Sequence, residues 1–192
     1  TNKRGVTLDP AKPTGREVFI KLIKVADILV TNHPVSVLKK LKLDYPSLKK
    51  EAPRLIMTSI TPYGLTGPYR DWKGYDINAG ALGGITATIG YPEREPVTSP
   101  MSQGDHQAGL CAAIATMIAL FERDKSGKGL SVDLSESECW STFHTGVGLQ
   151  SYLSEGRIRK RSGHRSLHRP FPDEVLPCGD GYICIDTPQK RQ

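Results

Sequence analysis

The fold class of this chain is decided by residues 27–60, "DILVTNHPVSVLKKLKLDYPSLKKEAPRLIMTSI". Two short apolar runs, "DILVTN" (27–32) and "RLIMTSI" (54–60), have the composition of buried strands. Between them lies a basic helical stretch, "VSVLKKLKL" (35–43), which Pro46 ends before a further short turn of helix. Short apolar strands that alternate with helices are typical of a parallel sheet covered on both faces. The stretch therefore predicts an α/β fold.

The same alternation continues toward residue 1. The run "GVTLD" (5–9) predicts a strand, and a helix follows it. Thr14 and Glu17 have the spacing of a capping box for that helix. Its apolar residues recur on one face, which we expect to be buried: Val18, Phe19, Leu22, Ile23 and Ala26. This part of the chain therefore predicts one more strand and helix of the same sheet.

Downstream, the pattern predicts a loop, three helical stretches, a strand and a hairpin. The glycines of the first helical stretch suit close approach to another helix or to a ligand, and the apolar run of the second suits a buried helix. In chain order these elements are the loop at 61–69, helices at 75–90 and 108–121, a strand at 130–135, a helical stretch at 136–154 and a hairpin at 173–186 with a Gly-Asp-Gly turn. We expect residues 1–154 to form part of a large domain, 155–172 a basic interdomain linker, and 173–192 the start of a smaller domain.

Charge and composition narrow the range of partners. The net charge is +6 and the pI is about 9.2, which favours an anionic partner such as a phosphorylated small molecule or nucleic acid. The segment 157–169 carries six Lys or Arg side chains and no acidic one. Nucleic-acid binding would need aromatic stacking partners, and none lies between Tyr152 and Phe171. We therefore favour a solvated linker over a nucleic-acid site.

Several other classes of function have little support in the sequence. The four cysteines form no CxxC pair, which argues against a zinc site and suits reduced thiols in the cytoplasm. No signal peptide is visible, and the apolar run at 108–121 is too short to span a bilayer. The chain has no GxGxxG fingerprint and no Walker loop. We therefore expect a cytoplasmic protein with no metal and no membrane partner.

Asp105 is the acid that calls for an explanation, because it stands between Gly104 and the long apolar run of 108–121. A helix N-terminus favours negative charge, and a fixed carboxylate can attack an activated carbonyl. Gly104 would let a ligand approach the backbone closely. The simpler interpretation is a helix N-cap, since Asp is among the best N-cap residues, and spacing alone favours that reading.

Four stretches change this balance, and they follow one another through nearly the whole chain. They are "NKRGVTLDPAKPTGREVFIKLIKVADILVTN" (2–32), "LKLDYPSLKKEAPRLIMTSITPYGLTGPYRDWKGYD" (41–76), "GDHQAGLCAAIATMIALFERDKSGKGLSVDLSESE" (104–138) and "LPCGDGYICIDT" (176–187). The most specific part is "SITPYGLTGPYRDWKGYD" (59–76), which "GD" (104–105) follows. On these residues the chain resembles the family III CoA-transferases (the CaiB/BaiF family), which include formyl-CoA and carnitine CoA-transferases, and the related alpha-methylacyl-CoA racemases.

The resemblance implies an enzyme that moves CoA from an acyl-CoA to a carboxylic acid acceptor. It implies a Rossmann-like doubly wound parallel sheet as the large domain, a smaller α+β domain, and an interlocked homodimer. Asp105 matches the nucleophile, which passes through aspartyl anhydride and aspartyl-CoA intermediates. Tyr75 and Asp76 match positions near the reacting acyl group. The implied contacts to coenzyme A are Leu8, Asn32, His33, Lys40, Leu41, Lys73, Gly74 and Tyr75.

Two departures from the family pattern bear on the function. The family usually has an aromatic residue where His33 stands. Racemases of the family place a His where Tyr75 stands, and a racemase needs an acid–base partner to move the α-proton. Tyr75 is a poor substitute for a histidine that titrates near neutrality, so we favour transferase. The alternatives are a racemase or epimerase acting on 2-methylacyl-CoA and a non-catalytic paralogue that pairs with an active subunit.

Overall fold

A computed structural model describes residues 2–143, 146–163 and 172–186 of the chain. Helices and strands alternate through most of it. In chain order the elements are α1 Pro13–Val25, β1 Ile28–Thr31, α2 Val35–Lys40, α3 Tyr45–Glu51, β2 Ile56–Thr61, α4 Asp76–Leu82, a 3₁₀ turn Ile85–Ala87, α5 Gln103–Ser126, β3 Ser131–Ser135, α6 Glu136–Phe143, α7 Gly146–Glu155, β4 Glu174–Cys178 and β5 Gly181–Ile185.

Strands β1, β2 and β3 form a parallel sheet in that order, with β2 in the centre. The register pairs Ile28 with Ile56 on one side of β2, and Met57 with Ser131 on the other. Nearly every residue of β2 is buried, as expected for a parallel strand with helices on both faces. The predicted α/β fold class and the strands predicted at 27–32, 54–60 and 130–135 are confirmed.

The two faces of the sheet are covered by different helices. Met57 points into an apolar core, whose buried members from α1 to α3 and the connections between them are Ile23, Leu38, Leu43, Leu48, Ala52 and Leu55. The next residue of β2, Thr58, points the other way and its hydroxyl lies 2.6 Å from that of Thr116 on α5. Alternate strand residues therefore face α1–α3 and α5, as a doubly covered sheet requires.

The strand predicted at 5–9 is wrong. Residues 2–9 have no strand structure, and Val6 is 74 % exposed. A strand needs a neighbour that supplies the hydrogen bonds of the ladder, and in the described sheet β1 pairs only with β2. Val6 and Leu8 instead line a cavity next to β1.

The start of α1 also differs from the prediction. The helix begins at Pro13 with Lys12 as N-cap and no side-chain capping bond, so Thr14 lies inside the first turn and cannot cap. Glu17 instead accepts a hydrogen bond from Lys21 one turn later, which lowers the pKa of Glu17. On the predicted apolar face, Ile23 is buried, whereas Val18 and Leu22 are exposed.

The glycine-containing helix is shorter than the predicted 75–90. Helix α4 ends at Leu82, because Gly84 adopts φ +90°, and only a 3₁₀ turn follows. A Cβ on Gly83 would lie 2.7 Å from the Ser137 carbonyl oxygen and collide with the Trp140 side chain of α6. Of the two uses expected for these glycines, Gly83 therefore serves close approach to another helix.

Helix α5 is only half buried, which corrects the expectation of a buried helix at 108–121. One face packs inward through small residues and the stem of Arg123: Gly104, Ala108, Ala112, Thr116, Ala119 and Arg123. The opposite face exposes between 50 % and 67 % of each of five large apolar side chains. We call this set the α5 apolar stripe: Leu110, Ile114, Met117, Ile118 and Phe121.

The end of the described chain forms a separate hairpin. Strands β4 and β5 pair antiparallel, and the pairing of Cys178 with Gly181 leaves a two-residue turn, so the predicted hairpin is confirmed. Before it, Arg161 donates hydrogen bonds to the carbonyl oxygens of Tyr91 and Arg94. The described part of the basic segment, 157–163, is therefore docked at Arg161 rather than fully solvated. Residues 164–169 of that segment lie outside the described residues.

Candidate active site

Asp105 occupies the first turn of α5, as its third residue. The N-cap is Ser102, which has φ +48° and makes no side-chain capping bond. The N-cap interpretation of Asp105 is therefore wrong. The Asp105 side chain is exposed and forms no hydrogen bond or ion pair with another described residue. The side chain lies near the positive end of the helix dipole and is open to an incoming ligand.

The backbone just before Asp105 is anchored by Asp76. Asp76 Oδ1 accepts a hydrogen bond from the Gly104 N–H at 3.0 Å and from Trp140 Nε1 at 3.3 Å. Asp76 is itself the first residue of α4. Three helices thus meet at one oxygen, and their meeting point fixes where α5 begins.

Gly104 is needed because no Cβ fits at its position. A Cβ there would overlap Asp76 Oδ1, Trp140 Nε1 and Glu136 Oε1. Gly104 is buried beneath these three side chains. The sequence-based expectation that Gly104 admits a ligand is therefore corrected: it admits the side chains that hold the first turn of α5.

Glu136 is the member of this group that the sequence analysis missed. It is the first residue of α6 and only 4 % exposed. Burial, contact with the Asp76 carboxyl group, and the nearby charges of Asp105 and Asp76 raise the pKa of Glu136 to about 8. The available signal was its place directly after β3, because the carboxyl ends of parallel strands form ligand sites.

A cavity of about 390 Å³ opens at the carboxyl ends of β1 and β2. Four residues of the predicted CoA site line it together: Asn32, Lys73, Gly74 and Tyr75. Tyr75, 79 % exposed, is the N-cap of α4 and so immediately precedes Asp76. The cavity and the Asp105 turn are thus joined through two consecutive residues.

Two aromatic side chains that the sequence did not point to, Tyr63 and Trp72, line this cavity, and Tyr69 packs against both. The ring centroids of Tyr69 and Trp72 are 4.5 Å apart, and those of Tyr63 and Trp72 are 6.3 Å apart. Trp72 is 61 % exposed. A Cβ on Gly74 would overlap the Tyr63 ring, so Gly74 makes room for that ring. Exposed rings beside cationic side chains such as Lys73 suit a nucleotide base and its phosphates.

The remaining residues of the predicted CoA site lie elsewhere. Leu8 and His33 line a second, more apolar cavity of about 370 Å³. Lys40 is exposed at the last turn of α2, and Leu41 packs against the core beneath α1 to α3. The structure therefore brings half of the predicted contacts into one cavity and distributes the others around α2 and β1.

Neither a metal site nor a membrane span is found in the part of the chain that the structure describes. No three His, Cys, Asp or Glu side chains there come together as metal ligation requires. None of the described helices combines the length and the apolar character needed to cross a bilayer. The polar groups around Gly104 are the carboxyl groups of Asp76 and Glu136 and the indole of Trp140.

Comparison with known proteins identifies the relatives of this chain. A family model described as CoA-transferase family III matches residues 1–192. Succinyl-CoA:(R)-benzylsuccinate CoA-transferase subunit BbsE of Thauera aromatica is 35 % identical over 95 % of this chain and 43 % of its own length. The succinyl-CoA–L-malate CoA-transferase beta subunit of Chloroflexus aurantiacus is 38 % identical over 94 % and 44 %. A CAIB/BAIF family protein from Brucella suis superposes with a TM-score of 0.86 at 36 % identity over 95 % of this chain and 48 % of the other. The chain thus spans about half the length of these relatives.

Proposed function

Because this chain belongs to CoA-transferase family III, we propose that it is part of an enzyme that transfers CoA from an acyl-CoA thioester to a free carboxylic acid. The observation that carries this proposal is the exposed Asp105 carboxylate on a helix turn anchored by Asp76, whose neighbour Tyr75 lines a cavity together with Lys73. A nucleophile needs both access and a fixed position. Asp105 has access, and its neighbour Gly104 is held by Asp76.

The proposed mechanism makes Asp105 the covalent carrier of CoA. Its carboxylate attacks the thioester carbonyl, which forms a mixed anhydride and releases CoA thiolate. The thiolate attacks the Asp105 carbonyl of the anhydride, giving aspartyl-CoA and the free donor acid. The acceptor carboxylate then displaces the thiolate to form a second anhydride, and thiolate attack on the acceptor carbonyl releases the new acyl-CoA and restores Asp105. Each step exchanges one acyl bond for another, so one difficult exchange becomes several easier ones.

Coenzyme A is proposed to bind in the cavity of about 390 Å³, with its anionic phosphates near Lys73. Asn32, Gly74 and Tyr75 would contact the cofactor there, and Trp72 offers a ring on which the adenine can stack. Leu8 and His33 would contact it from the second cavity, and Lys40 and Leu41 from the end of α2. Tyr75 and Asp76 would border the acyl group.

The complete protein is proposed to be a cytoplasmic, interlocked homodimer. The α5 apolar stripe supports burial of this face against further protein, since exposed apolar patches mark interaction surfaces. We assign residues 1–154 to the CoA-binding domain, 155–172 to an interdomain linker and 173–192 to the start of the small domain. The separate β4–β5 hairpin supports that division. Free thiols at all four cysteines suit a reducing compartment.

Succinyl-CoA is the donor to test first, because two of the relatives are named for it. The complete protein would be incubated with succinyl-CoA, with acetyl-CoA and with a branched 2-methylacyl-CoA, then treated with borohydride. Peptide mass spectrometry would locate the modified residue. We expect reduction of Asp105 to a homoserine-like residue with one donor, and a fall in transfer rate of at least about 10³-fold in Asp105→Asn. Glu122→Gln, an exposed site on the same helix, is the matched control.

Two outcomes would favour the other members of the family. Exchange of the α-proton of 2-methylacyl-CoA with deuterated solvent, without CoA transfer, would indicate a racemase. CoA binding with no modification of Asp105 by any donor would indicate a non-catalytic subunit, a possibility that the relatives named as subunits keep open. Either result would contradict the assignment of Asp105 as the transferase nucleophile.

A further inference from the structure

Glu136 is a buried acid near the proposed nucleophile Asp105, and the mechanism above gives it no role. Glu136 is 4 % exposed, and its Oε1 has no hydrogen-bond donor among the described residues. That oxygen faces the position where Gly104 lacks a Cβ, together with Asp76 Oδ1 and Trp140 Nε1. The Glu136 carboxyl also contacts the Asp76 carboxyl. Glu136 is buried and Asp76 half-buried, so a charge on both of these touching carboxyl groups would carry a large penalty, and a proton on Glu136 removes it.

The surroundings decide which of the two acids holds that proton. Asp76 Oδ1 already accepts two N–H hydrogen bonds, from Gly104 and Trp140, so this oxygen faces donors and acts as an acceptor. Glu136 has no such donor on Oε1, and no described Lys, Arg or His forms an ion pair with it. Its place at the start of α6 favours the charged form weakly. Burial without donors outweighs that effect.

We infer that Glu136 is a positioning residue that stays protonated at neutral pH and donates its O–H to Asp76, so that Asp76 holds the first turn of α5 and the Asp105 carboxylate in place. This inference deepens the proposed function and rests on Asp105 being the nucleophile. The proton makes Asp76 a carboxylate with three donors from three directions. If the proton leaves, the buried Glu136 and the half-buried Asp76 face each other as two negative charges, and the anchor of Gly104 weakens.

The other ionisable groups around Glu136 do not replace this proton. From α5, Asp105 adds a further negative charge nearby. From the loop after β2, the Tyr63 phenol has a pKa raised by its burial and by Glu136, so it stays neutral. On α6 itself, burial and contact with Cys111 raise the pKa of the Cys139 thiol to about 12. From α4 only Asp76 faces it with an ionisable group.

The first test measures the proton through thermal unfolding of the complete protein between pH 5 and pH 9. A folded pKa of about 8 for Glu136, against 4.5 for an ordinary glutamate, means that the native state binds more protons than the unfolded state across that interval. The stability of the wild type therefore falls with rising pH relative to Glu136→Gln, which cannot lose a proton. We expect the unfolding midpoint of Glu136→Gln, measured relative to that of the wild type, to rise between pH 5 and pH 8 by at least about 2 °C. Above pH 8 the difference between the two midpoints should stay constant. Glu138→Gln, exposed on the same helix, should show no such pH dependence.

The second test measures positioning without using activity. Hydrogen exchange at pH 7 would be followed in peptides from the first turn of α5 and, as an internal reference, from its last turn. We expect Glu136→Ala to speed exchange at the first turn at least about tenfold and Glu136→Gln to restore the wild-type rate, since the amide can donate to Asp76. A pH-independent stability difference, or equal exchange in the Ala and Gln variants, would overturn the inference.

The transfer assay separates this inference from the proposed function. With succinyl-CoA as donor, we expect kcat/KM of the wild type to be lower at pH 9 than at pH 7. The same decrease should be smaller in Glu136→Gln. Equal decreases in the two proteins would contradict the role of the Glu136 proton. A wild type that transfers no CoA contradicts the proposed function, whereas the stability and exchange tests still decide whether Glu136 holds a proton and anchors α5.

Discussion

Gly104 is the residue on which the packing of the site depends most, because any side chain at its position would overlap its neighbours. The N–H of Gly104 binds Asp76, while its missing Cβ leaves room for Trp140 and Glu136. Neither property belongs to a flexible turn, because Gly104 lies inside a helix. A glycine in a helix interior costs stability relative to alanine, so its presence here indicates a steric need.

We predict that Gly104→Ala destabilises the protein by about 1–3 kcal/mol, because the added methyl group overlaps three buried groups. Transfer activity should fall as well, since the first turn of α5 must move. The matched control is Gly109→Ala on the same helix, where nothing lies within 4 Å of the new Cβ. That change should stabilise by about 0.5–1 kcal/mol. Denaturant titration of both variants checks the prediction, and equal effects would contradict it.

At the level of elements, α5 is fastened to the sheet at several points. Thr116 donates to the Ala112 carbonyl oxygen and accepts from Thr58 on β2. Near its C-terminal end, the buried Arg123 binds the carboxylate of Asp27 just before β1. With Asp76 at the first turn, these contacts hold the helix along its whole length, so the position of Asp105 depends on the sheet.

We predict that Thr116→Val destabilises the protein by about 1–3 kcal/mol, since it leaves the buried Thr58 hydroxyl without its acceptor. The double variant Thr58→Val with Thr116→Val should be more stable than Thr116→Val alone, because no polar group is then stranded. A thermodynamic cycle of the two single variants and the double variant measures this coupling. Additive effects would show that the two hydroxyl groups do not interact.

The sequence predicted the strands of the sheet better than it predicted residues 5–9 and the covered face of α5. The runs at 27–32 and 54–60 are apolar, short and bounded by helix signals, so local pattern and tertiary setting agree. The run at 5–9 has the same local pattern, but strand formation also depends on a paired neighbour. The mostly apolar run at 108–121 gave no indication of which face of the helix is covered. The role of Glu136 could not be predicted from the sequence, because it depends on Asp76 and Asp105, which are distant in sequence and close in the fold.

At the scale of the whole molecule, the α5 apolar stripe is the surface that calls for a partner. Its five side chains lie on the face of α5 that turns away from β2 and β3. Phe121 and Leu110, at its two ends, are each 67 % exposed. A continuous apolar surface of this kind marks a protein contact.

We predict that Ile118→Lys in the complete protein weakens the proposed homodimer, because a charge would enter the apolar contact. Light scattering after size-exclusion chromatography should show a shift from dimer toward monomer at low protein concentration. Glu122→Lys changes charge on the same helix outside the stripe and should leave the mass unchanged. An unaltered mass and unfolding midpoint in Ile118→Lys would show that the stripe is not a buried interface.

The strand order has a consequence for how the protein is made. The central strand β2 pairs with β1, which is synthesised before it. Its other partner, β3, is synthesised only after α4 and α5, so Met57 has no strand partner until Ser131 has been made. At roughly 5–20 residues per second, that edge of an apolar strand stays open for several seconds of translation. Nascent chains of this protein are therefore expected to engage chaperones during that interval, and slower translation would lengthen the exposure.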